Sequence, residues 1–334
     1  MVAGGVVVAV VFAMMTTIGL TPTPAHAATT TINGCTIVAH PNQTHFTNCP
    51  GADLLGADLS GVNLSFADLS HADIGNCTID YPPPTLMVTC TAAVLTGADL
   101  KDADLSGASL VGVDLSSANL RRADLSGTAL AYCFPPAIQG GGCHDANISN
   151  GNLTDVNLSG AITSTCFSID LGIPVGVVFF CGGVSMADDK LTGANLSGDD
   201  LSFAVLSNDN LTDATLAGVT FGECPPASSP DTQFCSAADL SGAKLKSADL
   251  SGLRLNGVNF AGAVLSGANL TNANLSPLEN AGGFVVIPTN LSGADLRRAD
   301  LQGADLTDAN LSGVLWGHTT CPDGTLSNRD GGGC

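Results

Sequence analysis

Residues 98–130 read ADLKDADLSGASLVGVDLSSANLRRADLSGTAL. A leucine falls at every fifth position, from Leu100 through Leu115 to Leu130. A period of five fits neither an α-helix, at about 3.6 residues per turn, nor a continuous strand, at about 2, so the chain must turn inside every unit. Ala or Val, then a mostly polar residue, then Leu reads in-out-in for a short extended piece, because successive strand side chains alternate between faces. Two polar or glycine residues follow and can turn a corner, glycine accepting the positive φ that some tight turns require. Successive corners wind the chain into a coil, and coils stack through backbone hydrogen bonds at about 4.8 Å.

Working outward, the pattern extends far beyond this stretch. ADLSG itself occurs at residues 57–61, 103–107, 123–127, 238–242 and 248–252. In-register centres run over residues 54–74, 95–130, 148–158, 191–221, 240–275 and 291–316. A small residue, Asp or Asn, Leu or Phe, Ser/Thr/Arg and then Gly, recurring from Ala52 to Trp316, resembles the pentapeptide repeat family. That resemblance implies an all-β fold, a right-handed quadrilateral β-helix with four repeats per coil. Here it implies about nine coils and a rod body of roughly 45 Å at the strand spacing. The expected organisation is a signal peptide at 1–27, a Cys-closed cap at 28–51 and a solenoid at 52–316. Loops at 75–92, 131–145, 163–188, 222–237 and 276–288 interrupt the solenoid, and a second Cys-closed cap occupies 317–334.

Composition agrees with a narrow aliphatic core. Hydrophobic residues make up 45% of the chain but aromatics only 4%, which excludes large lobes packed around Phe and Trp. The net charge is −20, and every acidic residue but Glu223 and Glu279 is an aspartate, pointing to a repeated backbone role for Asp. Such a charge disfavours direct phosphate binding and suits cationic partners, divalent ions or solubility. The apolar run from Val6 to Met15, followed by Ala25-His26-Ala27, reads as an export signal, although no Lys or Arg precedes it; retention as a membrane anchor is the alternative. No later stretch is long and apolar enough to span a bilayer as a helix. The expected location is therefore extracellular or in the cell envelope.

Twelve cysteines pair in sequence: Cys35 with Cys49, Cys77 with Cys90, Cys133 with Cys143, Cys166 with Cys181, Cys224 with Cys235, and Cys321 with Cys334. None falls on a leucine centre, and each pair brackets an interruption or an end. Six local disulfides closing loops off the rod, formed in an oxidising compartment, are expected. Cys35, His40, His45 and Cys49 also form a possible zinc set, which the disulfide would abolish.

Departures from the repeat are the candidate functional positions. Asp189, Asp199 and Asp209 occupy the small inward position, ten residues apart. With twenty residues per coil, Asp189 and Asp209 would stack one coil apart and Asp199 would lie opposite. Bonding to turn amides and holding a cation are the two readings. The interruption at 167–180 alternates like an apolar hairpin, with Phe167, Ile169, Val177, Phe179 and Phe180, and Phe284 and Ile287 mark its rival; these are the expected partner-binding residues.

No metalloprotease helix, nucleophile elbow or phosphate loop is present in the sequence. The expected function is a non-catalytic secreted or envelope scaffold, with no cofactor, no nucleic acid and an unidentified protein or envelope partner. Two alternatives stand beside it. Family relatives that mimic duplex DNA suggest an acidic rod binding a type II topoisomerase, and the inward aspartates suggest a cation-binding protein or enzyme.

Overall fold

The computed structural model describes residues 30–80, 87–134, 142–159, 161, 163–170, 177–223, 236–279, 286–327 and 332–334. The expected signal segment lies outside them. Strand, bridge and turn account for the regular structure of these residues.

Residues 58–62 show why the repeat has its composition. Asp58 Oδ1 accepts the Ser60 N–H at 3.1 Å and the Ser60 hydroxyl at 2.7 Å. Gly61 has φ 65°, and the Val62 N–H donates to the Leu59 carbonyl at 3.1 Å, closing a turn that needs positive φ at its third residue. The outward carboxylate thus fixes the corner that follows it, which answers the bias toward Asp and Asn. The same corner recurs with Phe66, His71, Arg122 and Arg298 in the left-handed region in place of glycine.

Four parallel ladders run along the rod. On the first face Asn48 pairs with Asp68, Asp68 with Asp104 and Asp104 with Asp124; on the second Asp53 pairs with Asp73. The third face runs from Asp58 through Val94 and Asp114 to Asn310, and the fourth from Asn63 through Asp99 and Asn119 to Leu315. Where nothing intervenes the partner lies twenty residues on, as in Asp99 with Asn119. Side chains repeat the ladder outside: Asn119 Nδ2 donates to Asp99 Oδ1 at 2.8 Å, and Asn195 Nδ2 to Asn157 Oδ1 at 3.0 Å. Inside, Leu and Ala fill the lumen, with Leu100, Leu120 and Leu153 completely buried.

Interruptions are antiparallel strand pairs. β1 (Thr30–Ile32) and β2 (Cys35–Ile37) form a hairpin at the N-terminal end. β3 (Asp73–Asp80) pairs with β4 (Met87–Ala92), and its foot pairs with β5 (Ser109–Leu110) of the next coil. β6 (Ala131–Phe134) pairs with β7 (Gly142–Asp145), and β8 (Ser164–Asp170) with β9 (Val177–Gly183). Two short pairs follow, β10 (Gly222–Glu223) with β11 (Ser236–Ala237), and β12 (Leu278–Glu279) with β13 (Val286–Ile287).

The rod is longer at its margins than the leucine pattern suggests. Asn48 bridges Asp68 and Thr320 bridges Asp300, so Cys49 and Cys321 take the inward centre positions of terminal repeats, contrary to the expectation that no cysteine sits at a centre. A half-cystine fills the leucine site there because it is small and apolar. The interruption expected at 163–188 ends earlier: Ser185 is already on the third-face ladder and Met186 is a buried centre, methionine serving for leucine.

Glycines seat the hairpin feet. A Cβ on Gly222 would come within 2.7 Å of the Asn256 carbonyl oxygen, and one on Gly183 within 2.5 Å of the Phe203 backbone. Gly222→Ala is therefore expected to cost about 1–3 kcal/mol, read as a lowered urea midpoint. An unchanged midpoint would mean that this foot is not pressed against the next coil.

Candidate functional site

Every one of the five interruptions leaves the rod at the same corner. The second-face positions Asp73, Ala129, Thr220 and Asn274 precede the first, second, fourth and fifth hairpins, and the third face resumes at Val94, Asn147, Asp239 and Asn290. The β8–β9 hairpin follows the first-face residue Asn157 by one repeat and returns the chain to third-face Ser185. Ladder partners across an interruption are accordingly displaced in sequence but not in space: Asp58 pairs with Val94, Asn119 with Asn152, Asn157 with Asn195 and Asn259 with Asn290. All four corners are the same kind of turn, so coil geometry alone does not dictate a single exit edge.

The hairpins and the third face form one surface. β6–β7 and β8–β9 stand on adjacent coils and touch. Asp145, at the end of β7, accepts the Gly183 N–H from the end of β9; burial raises its pKa, opposed by His144 and by that hydrogen bond. Of the exposed large apolar side chains among the described residues, four lie here, while Leu315 is on the fourth face and Leu326 at the C-terminal end. Val94 and Val205 project from the third face, Tyr132 from β6 and Val286 from β13.

Cysteines close this edge and the two ends. Cys77–Cys90 joins β3 to β4, Cys35–Cys49 closes the N-terminal end and Cys321–Cys334 the C-terminal end. Cys143 is disulfide-bonded and stands opposite Cys133 in register, as Cys166 stands opposite Cys181. Cys224 and Cys235 lie outside the described residues. The Cys35–Cys49 bond removes both thiolates from the possible zinc set. Cys77, Cys90 and His144 form the cluster of three potential ligands found among the described residues, and two of the three are tied in a disulfide.

The expected partner-binding residues fall on this edge. Phe167 is paired in register with Phe180, Phe179 with Ser168 and Val177 with Asp170, and Ile169 stands opposite Val178. Ile287 pairs with Leu278 and packs over Gly257, half-buried. Phe284 lies outside the described residues.

Asp189, Asp199 and Asp209 are all buried, and Asp199 sits before the second face, across the lumen from the other two, which precede the fourth. Asp209 Oδ1 accepts the Asp189 N–H at 2.8 Å, and Asp189 Oδ1 accepts the Gly151 N–H at 2.6 Å. Each carboxyl satisfies the amide of the preceding coil at a corner, leaving Oδ2 of both Asp189 and Asp209 without a partner. Burial pushes the Asp189 carboxyl up to about 9, against the Gly151 hydrogen bond, and the Asp209 carboxyl up to about 8, against the hydrogen bond from Asp189. Both are neutral acids at pH 7. Gly151, which sequence inspection overlooked, leaves the room: a Cβ there would meet the Ile148 carbonyl oxygen and Leu153 Cδ1, both at 2.9 Å.

Four short strands per turn, stacked in parallel around a leucine and alanine core, define a β-helical solenoid. The family model for pentapeptide repeats matches in eight copies over residues 45–76, 90–128, 238–276 and 289–314. The chain is a pentapeptide repeat protein, a family whose fold is the right-handed quadrilateral β-helix. Between 129 and 237, where the matches stop, the ladders continue unbroken through Asn147, Ser185 and Val205.

Among solved structures the chain is similar to HetL, a pentapeptide repeat protein involved in heterocyst differentiation regulation from the cyanobacterium Nostoc sp. strain PCC 7120. The identity is 29%, over 84% of this chain and 91% of that one, with a TM-score of 0.33. A pentapeptide repeat protein of the Arabidopsis thaliana thylakoid lumen is 24% identical over 44% of this chain and 66% of its own, with a TM-score of 0.23. Trypsin-treated QnrB1, a plasmid-mediated fluoroquinolone resistance protein, is 14% identical over 80% of this chain and 89% of its own, with a TM-score of 0.24. A comparison with curated proteins returns no match. Among the described residues no helix is long and apolar enough to cross a membrane.

Proposed function

We propose that this protein is a non-catalytic scaffold of the cell exterior or envelope, which binds a protein or envelope partner along the edge where its hairpins emerge. The observation that carries the reading is the common exit corner of the five interruptions. A hairpin that served only to relieve strain or close a loop could leave at any corner, whereas a row along one edge offers a partner an extended one-sided surface. Two features support it: the exposed valines and tyrosine lie on the same side, and among the described residues the lumen is filled by Leu and Ala side chains. Export is supported by the apolar leader and by disulfides at both ends of the rod.

The test is capture from native extracellular and envelope material on the intact protein and on a variant with residues 167–180 replaced by a short polar turn. A control carries Arg121→Gln and Arg122→Gln at the diagonally opposite corner. Loss of a specific catch in the hairpin variant alone is expected. Identical catches from all three proteins would sink the proposal.

A further inference from the structure

The β6–β7 hairpin reaches its neighbour on the exit edge and lays a histidine against that neighbour's disulfide. Cys77 and Cys90 face each other in register across β3 and β4 and are bonded. The Sγ atoms of both and a ring nitrogen of His144, on β7, lie within 4.8 Å of one another, and all three residues are half-buried. Among the described residues this is the one disulfide with an imidazole against both of its sulfurs.

A disulfide exchanges when a thiolate attacks one sulfur and the other leaves as a thiolate, so the rate depends on how well the leaving sulfur carries charge. The two end disulfides are poorly placed for this. In Cys35–Cys49, attack on the half-buried Cys49 would expel Cys35, which is 2% exposed and belongs to the lumen core. In Cys321–Cys334, attack on the exposed Cys334 would expel Cys321, which is 5% exposed. Apolar burial disfavours a thiolate in both cases. At Cys77–Cys90 either sulfur leaves into a half-buried position beside an imidazole, whose N–H can donate to it in a hydrogen bond strengthened by the charge of the acceptor.

We propose that Cys77–Cys90 is a thiol-exchange site whose substrate is a small thiol and whose leaving sulfur is stabilised by His144. The thiolate of the small molecule attacks Sγ of Cys77 or Cys90, and a new S–S bond forms to that sulfur as the Cys77–Cys90 bond breaks. The electron pair of the broken bond goes to the other cysteine, which leaves as a thiolate held by the His144 N–H. One disulfide replaces another, so neither an oxidant nor a reductant is consumed. The exchange unclasps β3 from β4 and leaves the coil beneath them in register, since the ladder from Asp58 to Val94 passes the hairpin by. The proposal does not rest on the scaffold reading, because a small thiol reacts whether or not a partner docks along this edge.

The test treats the intact, oxidised protein with the amino acid cysteine for increasing times, quenches with acid, alkylates, and identifies the modified residues by mass spectrometry. A mixed disulfide on Cys77 or Cys90, with alkylation of the other, is expected to accumulate about tenfold or more faster than modification of the two end disulfides. His144→Phe keeps a ring against the sulfurs but removes the N–H, and is expected to slow exchange at this pair about tenfold while the end disulfides react as before. His144→Gln restores a donor and is expected to regain part of the rate. Urea midpoints equal to that of the wild type show that each variant is folded. Exchange at Cys77–Cys90 no faster than at the ends, or an undiminished rate in either folded variant, would overturn the proposal.

Discussion

Replacing Asp189 and Asp209 together by asparagine is expected to stabilise the rod at neutral and alkaline pH and to remove most of its loss of stability as pH rises. Both carboxyls have folded-state pKa values raised from 3.8, to about 9 and about 8, by burial first of all. Between pH 4 and pH 8 the folded chain holds two protons that the unfolded chain releases, so stability falls as pH rises. It is full below about pH 4 and lost progressively up to the folded pKa values, each carboxyl losing about 1.4 kcal/mol per pH unit across that window. At pH 7 the pair is expected to cost about 4 kcal/mol relative to neutral side chains, after allowance for coupling and relaxation. Asparagine keeps an Oδ1 to accept the Gly151 and Asp189 amides and never ionises. Urea midpoints from pH 4 to pH 9 should decline steeply for the wild type and much less for the double variant, which keeps the buried Asp145 carboxyl. A level wild-type curve would mean that these carboxyls are not held as buried neutral acids.

The outward aspartates oppose this trend in acid. Asp58, Asp305 and Asp323 have lowered pKa values because the Ser or Thr hydroxyl two residues on donates to the carboxylate, the amide of that residue adding to it. A lowered carboxyl contributes stability above its unfolded pKa and loses it as pH falls through the folded value. Stability of the wild type should therefore peak near the unfolded carboxylate range rather than at neutrality.

Leu120→Ala is expected to cost about 3 kcal/mol, the second large effect. Leu120 is fully buried, with Leu100 and Leu153 at the same position of the coils on either side. The lumen is too narrow for neighbours to collapse into the space, and each coil is held only by the next, so the loss is concentrated in one place along the rod. Chemical denaturation should show the lowered midpoint, and hydrogen exchange should show increased opening in the coils around residues 98–130 more than near residue 300. Uniformly increased exchange would argue against nearest-neighbour stacking.

Much of this was legible in the sequence, because a solenoid repeats its local chemistry. The leucine period, the in-out-in triplet and the left-handed corner at Gly61 follow from one unit, and the stacking of Asp189 on Asp209 follows from twenty residues per coil. The common exit corner was written there too, but hidden by substitution. Residues 95–130 and 240–275 each hold eight centres, a whole number of four-repeat turns, and Met186 completes the same number before Phe221. Only with Met186 and also the buried Thr163, the fourth centre after Ile148, Leu153 and Leu158, accepted does the count show every interruption returning to one edge. The role of Gly151 was not legible, since it depends on which coils become neighbours.

The claim that five hairpins leave one corner without disturbing the coil register is most directly tested by crosslinking across an interruption. Asn157→Cys with Asn195→Cys joins outward positions 38 residues apart in sequence, whose side chains meet at 3.0 Å across β8–β9. Mass spectrometry of unreduced peptides is predicted to find a disulfide between the two introduced thiols, and none when Asn157→Cys is combined with Lys190→Cys on the adjacent face. Failure of the first pair to join, or joining of the second, would contradict the account.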